Sequence, residues 1–325
     1  MEDNKREEKE QIKKEKEQRK LEEKKAKLER KQKKIEEKIR KKNLLGEYLT
    51  YPSMAVNFIK ADKKIKPEKY QFDKNKAQYI LYFAPQLKEN ESPKKQVIVY
   101  LYGGGWREGN ANLYRFVGRR FAKEKFHTIL LGYRLSKKYK YPAQIEDVFA
   151  GFNKALEVLK NKNIDYSDII VIGSSAGAHL GALLVYYKEM HKKYNVDSNI
   201  FKGYVSLGGP TDLNVCTNDI ITPMLDQLFE EGYNREEANP YNHIDGSEKT
   251  KVLCVHSELD PICDVENSIH FSNKVNSFHD GLADCIIFDN KNIYHNNLVN
   301  GIFFEAMDSE HILDKVFKWI EKIDN

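Results

Sequence analysis

Strand-like and helix-like hydrophobic patterns alternate along most of the chain. Short runs of apolar, often β-branched residues, bounded by glycine, proline or polar clusters, are typical of buried strands. The predicted strands cover residues 78–83, 97–102, 127–131, 169–172, 204–207, 252–256 and 284–288. Longer stretches with helical spacing lie between them. This alternation predicts an α/β fold built on a mostly parallel, doubly wound sheet with helical crossovers.

Three helices are well marked by their spacing. One follows Pro142 and places six apolar residues on a single face: Ile145, Val148, Phe149, Phe152, Leu156 and Leu159. Another begins within residues 173–177 and runs to about Met190. The last predicted helix covers residues 312–323. These helices are expected to cover the faces of the sheet.

The segment 212–245 interrupts the alternation, because it is too long for a simple connection between two strands. Thr222 and Pro223 are typical of an N-cap and a first helical residue, and Met224, Leu225 and Leu228 follow at helical spacing. The segment is either a small helical cap insertion over a pocket or a helix packed on the core. In the first case Met224, Leu225 and Leu228, together with Trp106, line the substrate pocket.

The first 43 residues have a different composition from the rest. They consist almost entirely of Lys, Glu, Arg and Gln without Gly or Pro, which predicts a charged helix or a partly disordered tail. Leu21, Leu28 and Ile35 recur every seven residues, but only Ile39 fills the second apolar position of a heptad. A solvated tail at 1–43 is favoured over an arm for self-association or for an acidic partner. Residues 44–325 then form the globular domain.

Charge and cysteine usage limit the partners. Residues 1–43 hold 19 Lys+Arg against 12 Asp+Glu, and the remainder holds 35 against 37, so the net charge of +5 comes from the tail. We therefore expect no nucleic-acid partner. Cys216, Cys254, Cys263 and Cys285 show neither zinc-ligand spacing nor a disulfide framework, so no metal is expected. Without a signal peptide or an apolar membrane span, we expect a cytoplasmic location.

A serine between two glycines carries the first chemical signal. The sequence Gly-Ser-Ser-Ala-Gly at 173–177 follows a predicted strand and opens a predicted helix. A serine on such a sharp strand-to-helix turn presents its hydroxyl at the positive end of the helix, and the small flanking residues allow strand and helix to approach. Ser175 is therefore the candidate nucleophile. The alternative is a tight turn with an inert serine.

Three consecutive glycines at 103–105 follow the strand 97–102. Their backbone N–H groups are free of side-chain cover, and acyl transfer requires such donors where the tetrahedral oxyanion forms. Together with the N–H of Ala176, the amides of Gly104 and Gly105 are the candidate oxyanion hole. A flexible glycine turn is the alternative.

A serine nucleophile needs a base and a group that orients the base. Asp260 lies in the loop after the strand 252–256 and is the preferred orienting acid, with Glu258 and Asp264 as alternatives. His295 follows the strand 284–288 and is the preferred base over the other histidines, of which His279 and His311 are the nearest competitors. The remaining histidines are interpreted as packing or surface residues: His179, His191, His243, His256 and His270.

From residue 97 to the C-terminus, these motifs resemble the α/β-hydrolase esterases related to hormone-sensitive lipase and the bacterial feruloyl-esterase-like carboxylesterases. Further similar stretches are Tyr133–Leu135, Tyr141–Ala143, Glu146–Val148 and Leu259–Ser268. The resemblance implies a Ser175, His295, Asp260 triad and ester hydrolysis without metal or cofactor. One departure is Tyr102, where the family usually has a histidine that braces the glycine loop.

Three functions compete at this point. The leading hypothesis is a carboxylesterase acting on small-molecule acyl esters. An arylformamidase of the kynurenine type is close to it, because that branch pairs a Gly-Gly-x-Trp turn with the same triad. The third hypothesis is a catalytically reduced hydrolase fold that binds partners through the N-terminal helix.

Overall fold

The computed structural model describes residues 2–60, 64–289 and 292–323. The chain divides into two compact units, residues 1–45 and residues 46–325. The first unit is part of a long helix, and the second contains the sheet. No helix in the described part of the chain combines the length and the apolar character that a membrane span needs.

The described strands form one eight-stranded sheet in the order β1-β2-β4-β3-β5-β6-β7-β8. Their bounds are β1 Glu68–Gln71, β2 Tyr79–Phe83, β3 Val97–Leu101, β4 His127–Leu131, β5 Ile169–Ser174, β6 Phe201–Leu207, β7 Lys251–Ser257 and β8 Ala283–Phe288. Strands β3 to β8 pair in parallel, whereas β1 and β2 run antiparallel at one edge. The predicted α/β architecture is confirmed, and each predicted strand coincides with one of these.

Strand β1 was not predicted from the sequence. Its four residues, Glu-Lys-Tyr-Gln, are mostly exposed and have no apolar alternation. Backbone pairing with β2 alone defines it, from Glu68 opposite Tyr82 to Gln71 opposite Tyr79. Central strands such as β3, in which all five residues are buried, carry the continuous apolar runs that identify a parallel sheet.

Helices lie between consecutive strands from β3 to β8, before β1 and after β8. Their bounds are α1 Glu2–Lys60, α2 Arg115–Lys123, α3 Ala143–Asn161, α4 Ala176–Tyr186, α5 Lys188–Tyr194, α6 Thr222–Leu228, α7 Glu266–Phe278, α8 His295–Val299 and α9 Ile312–Glu321. The single helix predicted from residue 173 to Met190 is in fact two helices, α4 and α5. Tyr187 separates them with a non-helical ψ of 89°, and the centroid of its ring lies 4.2 Å from that of His243. Local periodicity does not report such a tertiary contact.

Helix α1 continues well beyond the boundary expected at residue 43. It passes through Gly46 and contains Pro52, which removes one backbone donor from the helix interior. Residues 46–60 belong to the second unit, where Glu47 and Thr50 are buried and Met54 packs against the core. The packing of residues 46–60 within the second unit therefore keeps α1 helical past the change in composition near residue 43 and through Gly46 and Pro52.

The insertion 212–245 contains α6, but its first turn differs from the prediction. The N-cap position is Ile221, so Thr222 is the first helical residue and caps nothing with its side chain. Asn218 supplies the stabilising contacts instead: its Oδ1 accepts from the N–H groups of Ile220 and Ile221. The apolar side of α6 faces inward, with Leu225 and Leu228 buried.

Candidate active site

Ser175 lies on the sharp turn between β5 and α4. Its backbone is in the left-handed region, with φ 52° and ψ −125°, which is unusual for a residue with a side chain. A Cβ on Gly173 or on Gly177 would overlap neighbouring backbone atoms, so both positions require glycine. The Ser175 N–H donates to the Leu207 carbonyl at 2.9 Å and ties the turn to β6. The local sequence thus produces a constrained serine at the carboxyl edge of the sheet.

The structure brings Ser175, His295 and Asp260 together in one hydrogen-bonded chain. His295 Nε2 lies 2.9 Å from Ser175 Oγ, and His295 Nδ1 lies 2.5 Å from Asp260 Oδ2. The second carboxylate oxygen of Asp260 accepts from the N–H groups of Ile262 and Cys263 at 2.8 and 2.9 Å. The carboxylate is therefore held rigidly by its own loop. A histidine between a hydroxyl and a fixed carboxylate is the arrangement that activates a serine.

Burial and neighbouring charges shift the pKa values of Asp260 and His295 in opposite directions. Burial disfavours the ionised form of Asp260, but His295 and His256 outweigh it, so the pKa of Asp260 is lowered. Burial also disfavours the imidazolium of His295, but the charge and hydrogen bond of Asp260, with a contribution from Glu47, raise its pKa above the ordinary histidine value. The site therefore stabilises a positively charged His295.

The glycine loop lies directly beside Ser175. A Cβ added to Gly103 would lie 3.0 Å from the Ser175 Cβ, and the Gly104 carbonyl accepts from the N–H groups of Arg107 and Glu108. Gly104 and Gly105 both have positive φ, 122° and 56°. This turn places Gly103 beside Ser175, the candidate nucleophile, where acyl transfer would require an oxyanion hole.

Tyr102 braces the loop together with Tyr133. The Tyr133 hydroxyl donates to the Tyr102 carbonyl at 2.9 Å, and the Tyr102 hydroxyl lies 3.4 Å from the Tyr133 carbonyl. Their rings stack with centroids 4.4 Å apart. A pair of tyrosines thus supports the loop at the position where the resembling esterases usually have a histidine.

The residues expected to line the pocket separate into two groups. Leu225 and Leu228 are 1% and 0% exposed and pack in the core, so they offer no surface to a substrate. Trp106 is also buried, and its Nε1 donates to His179 Nδ1 at 3.2 Å. Only Met224 reaches the glycine loop, because its Sδ would lie 2.9 Å from a Cβ on Gly105.

The alternative acids and bases lie outside the hydrogen-bonded chain. Glu258 is exposed, and Asp264 accepts from Asn218 Nδ2 at 2.8 Å. His279 contacts the carbonyl of Gly246, and His311 is exposed next to Asp314.

His256 was interpreted as a packing residue, and it is fully buried. Its Nε2 nevertheless lies 3.5 Å from Asp260 Oδ2, so it also contributes to the environment of that carboxylate. Its remaining contacts are with Ser268 Oγ and the Cys263 carbonyl.

The BD-FAE family model matches residues 83–275, which is more than half of the chain. The chain belongs to the BD-FAE family. The matched range contains the glycine loop, Ser175 and Asp260. Together with the relatives and solved structures described next, this match confirms the predicted resemblance to α/β-hydrolase carboxylesterases.

Curated relatives of this BD-FAE protein match over shorter stretches. Neutral cholesterol ester hydrolase 1 of Bos taurus is 34% identical over 34% of this chain and 27% of its own length. Carboxylesterase NlhH of Mycobacterium tuberculosis is 31% identical, over 32% of each protein. The match therefore spans only about a quarter to a third of the length of these relatives.

Solved structures resemble the BD-FAE chain over most of its length. Esterase B from Lactobacillus Rhamnosis has a TM-score of 0.67 at 17% identity and covers 89% of this chain and 95% of that one. A hyperthermophilic esterase from Pyrobaculum calidifontis has a TM-score of 0.63 at 17% identity, over 90% and 92%. At this level of identity the likeness establishes the fold.

Glu47 is the charged residue near His295 that the sequence did not reveal. It is 1% exposed, and its carboxylate accepts from the N–H of Asn296, the residue after His295. In sequence, Glu47 is one of many glutamates in a charged helix. The only local signal is the change at residues 44–51, where Leu, Gly, Tyr and Thr replace the lysines.

Proposed function

We propose that this BD-FAE protein is a serine carboxylesterase that hydrolyses small acyl esters through an acyl-enzyme intermediate. The observation that carries the proposal is the hydrogen-bonded chain from Ser175 Oγ through His295 to Asp260, at the end of a strained strand-to-helix turn. An inert turn would not need a buried histidine aligned between a hydroxyl and a fixed carboxylate. This geometry also argues against a purely partner-binding role.

The reaction uses each of these groups in sequence. His295 Nε2 takes the proton of Ser175 Oγ as the oxygen attacks the ester carbonyl, and Asp260 stabilises the imidazolium that forms. The tetrahedral oxyanion accepts hydrogen bonds from the amides of Gly104, Gly105 and Ala176. The alcohol then leaves with the proton from His295. Water, activated by the same histidine, releases the acid and restores Ser175.

The acyl group and the leaving group are set by the surroundings of Ser175. Met224 lies against the glycine loop on one side, and this favours a short acyl chain. A second candidate is formamide hydrolysis. The Gly-Gly-Gly-Trp turn at 103–106 supports it, as does a match to the arylacetamide deacetylase of Bos taurus, which is 30% identical over 31% of this chain.

The deciding experiment is labelling with a fluorophosphonate probe, followed by mass spectrometry of the modified peptide. We expect one adduct on Ser175 and none in Ser175→Ala, while Ser174→Ala, the neighbouring serine, is labelled normally. p-Nitrophenyl acetate and N-formylkynurenine are then compared as substrates. A folded wild-type protein without an adduct would support the binding module, and a much higher kcat/KM for the formamide would support the arylformamidase.

A further inference from the structure

Glu47 is a buried carboxylate that the reaction described above does not use. Both of its oxygens accept from the backbone N–H of Asn296, at 3.1 and 3.0 Å. Asn296 directly follows His295, at the start of α8. Hydrogen bonding of a carboxylate to N–H groups in the first turn of a helix stabilises that turn.

A second contact from α1 holds the same residue. Asn296 Nδ2 donates to Thr50 Oγ1 at 2.8 Å, and Thr50 Oγ1 donates to the Glu47 carbonyl at 2.7 Å. On the other side of His295, the ring of Tyr294 packs so closely on Gly46 that a Cβ there would overlap it. Segment 46–50 thus contacts both chain neighbours of His295.

The charge of Glu47 also reaches the site. Burial raises the pKa of Glu47, while the charge of His295 and the Asn296 N–H favour its ionised form. The titratable groups that face it are His295 from α8, Asp260 from the loop after β7, and Tyr51 from its own helix. No lysine or arginine of the described residues is among them. A buried carboxylate without a cationic partner is costly, unless it stabilises a positive charge that forms during the reaction.

We propose that Glu47 is a positioning residue for His295, which fixes the backbone after the catalytic histidine and stabilises its imidazolium through space. This role rests on the proposed function. Two carboxylates then stabilise the imidazolium of His295. Asp260 contacts its ring directly, and Glu47 binds the backbone N–H of the next residue, Asn296. The catalytic unit is therefore completed by a helix that lies outside the family match at 83–275.

The primary test replaces Glu47 by glutamine, which keeps an acceptor for the Asn296 N–H but removes the charge. In Glu47→Gln we expect kcat to fall about three- to thirty-fold with KM nearly unchanged, because the loss affects the charged transition state. The acid limb of kcat/KM should move about half a pH unit or more towards lower pH, because His295 loses a neighbouring negative charge. Glu37→Gln, an exposed position on the same helix, is the matched control and should change neither quantity.

Two further variants separate charge from packing. Thr50→Val removes the acceptor for the Asn296 side chain and should lower kcat without moving the acid limb. Glu47→Asp keeps the charge on a shorter side chain, so it should lower kcat and leave the limb near that of wild type. This variant also keeps the test decisive if Glu47→Gln unfolds, since an acid limb that moves in Glu47→Asp, which retains the charge, would contradict the electrostatic role.

A readout that needs no substrate distinguishes this inference from the proposed function. The His295 ring is titrated by NMR in protein labelled at the histidine Cε1 position, with His295→Ala used to assign the signal. A lower pKa of His295 in Glu47→Gln supports the inference even if no ester is hydrolysed. An unchanged His295 titration in a folded Glu47→Gln protein would overturn it, whatever the activity of the wild-type enzyme.

Discussion

At the scale of single residues, the site depends on backbone positions that only a few side chains tolerate. Ser175 has a positive φ between two glycines that have no room for a Cβ. Such a conformation costs about 1–3 kcal/mol and persists where the surrounding structure imposes it. The pairing of β5 with β3 and β6 supplies that support.

The neighbouring serines allow a direct test of which hydroxyl reacts. Ser175→Ala should lower kcat on a p-nitrophenyl ester at least about 10³-fold, because no other hydroxyl contacts His295 Nε2 in the described chain. Ser174 is buried and accepts from the Tyr100 hydroxyl at 2.9 Å. Ser174→Ala should therefore cost about 1 kcal/mol in unfolding free energy and leave kcat within about two-fold. A larger loss of kcat in Ser174→Ala would show that the register of the turn is wrong.

The pH dependence follows from the state of His295. The histidine must be neutral to accept the serine proton, and its pKa lies above the ordinary value because Asp260 outweighs burial. We therefore expect kcat/KM to rise with pH through one ionisation whose midpoint is above about 6.5, and then to level off. A profile of kcat/KM from acid to alkaline pH measures this midpoint.

The control for that profile is another histidine. His279→Ala should behave as wild type, because its ring contacts only an outlying carbonyl, whereas His295→Ala should be inactive. A midpoint below the ordinary histidine value would contradict the balance of charges described for the site.

Sequence reasoning selected Ser175, Asp260 and His295 because each follows a strand whose apolar run is visible locally, and the structure brings these three side chains into one hydrogen-bonded chain. It did not reach Glu47, because the contact with Asn296 joins positions 249 residues apart in the chain. The same limit applies to Leu225 and Leu228, since helical spacing identifies an apolar face without telling what that face packs against.

At the scale of elements, α6 lies next to the glycine loop at Gly105. Its inward face belongs to the core, and Met224 alone among the expected pocket residues approaches Gly105. Elements defined by their own periodicity, such as α3, were predicted almost to their ends. Element β1 was not, because its definition depends on the pairing partner.

Acyl-chain length tests the role of α6. Acetyl to butyryl esters should have higher kcat/KM than decanoyl or longer ones, because each methylene contributes about 0.8 kcal/mol only while the pocket has room for it. Met224→Ala should shift the optimum towards longer chains. Leu213→Ala, a buried change in the same insertion whose side chain is not among the atoms nearest Gly105, should not. An optimum at decanoyl or longer in the wild type would exclude a small pocket.

At the scale of the whole molecule, the N-terminal helix has two parts with different expected roles. Residues 14–39 are exposed, including Leu21, Leu28 and Ile35, whereas residues 46–60 belong to the unit that contains the sheet. The boundary predicted at residue 43 lies near the division between the units but not at the end of the helix. The density of charged residues indicated where the purely polar tail ends, near residue 43, but it did not indicate that the helix continues to Lys60.

Two truncations distinguish these parts. Deletion of residues 1–43 should leave kcat/KM within about two-fold, because this segment has little apolar surface to pack. Deletion of residues 1–60 should lower kcat about ten-fold or more, because Glu47 and Thr50 are lost. Circular dichroism controls for folding, and size-exclusion chromatography reports whether the tail mediates self-association. An inactive but folded protein lacking only residues 1–43 would place part of the site in the tail.

The separation between Glu47 and Asn296 also has a consequence for biosynthesis. Asn296 is synthesised 249 residues after Glu47. We therefore expect the nascent chain to form the contact between Glu47 and Asn296 only after residue 296 has been synthesised. The same separation makes the protein suitable for fragment complementation: a peptide covering residues 44–60, added to a chain that begins at residue 64, should restore activity in a concentration-dependent manner.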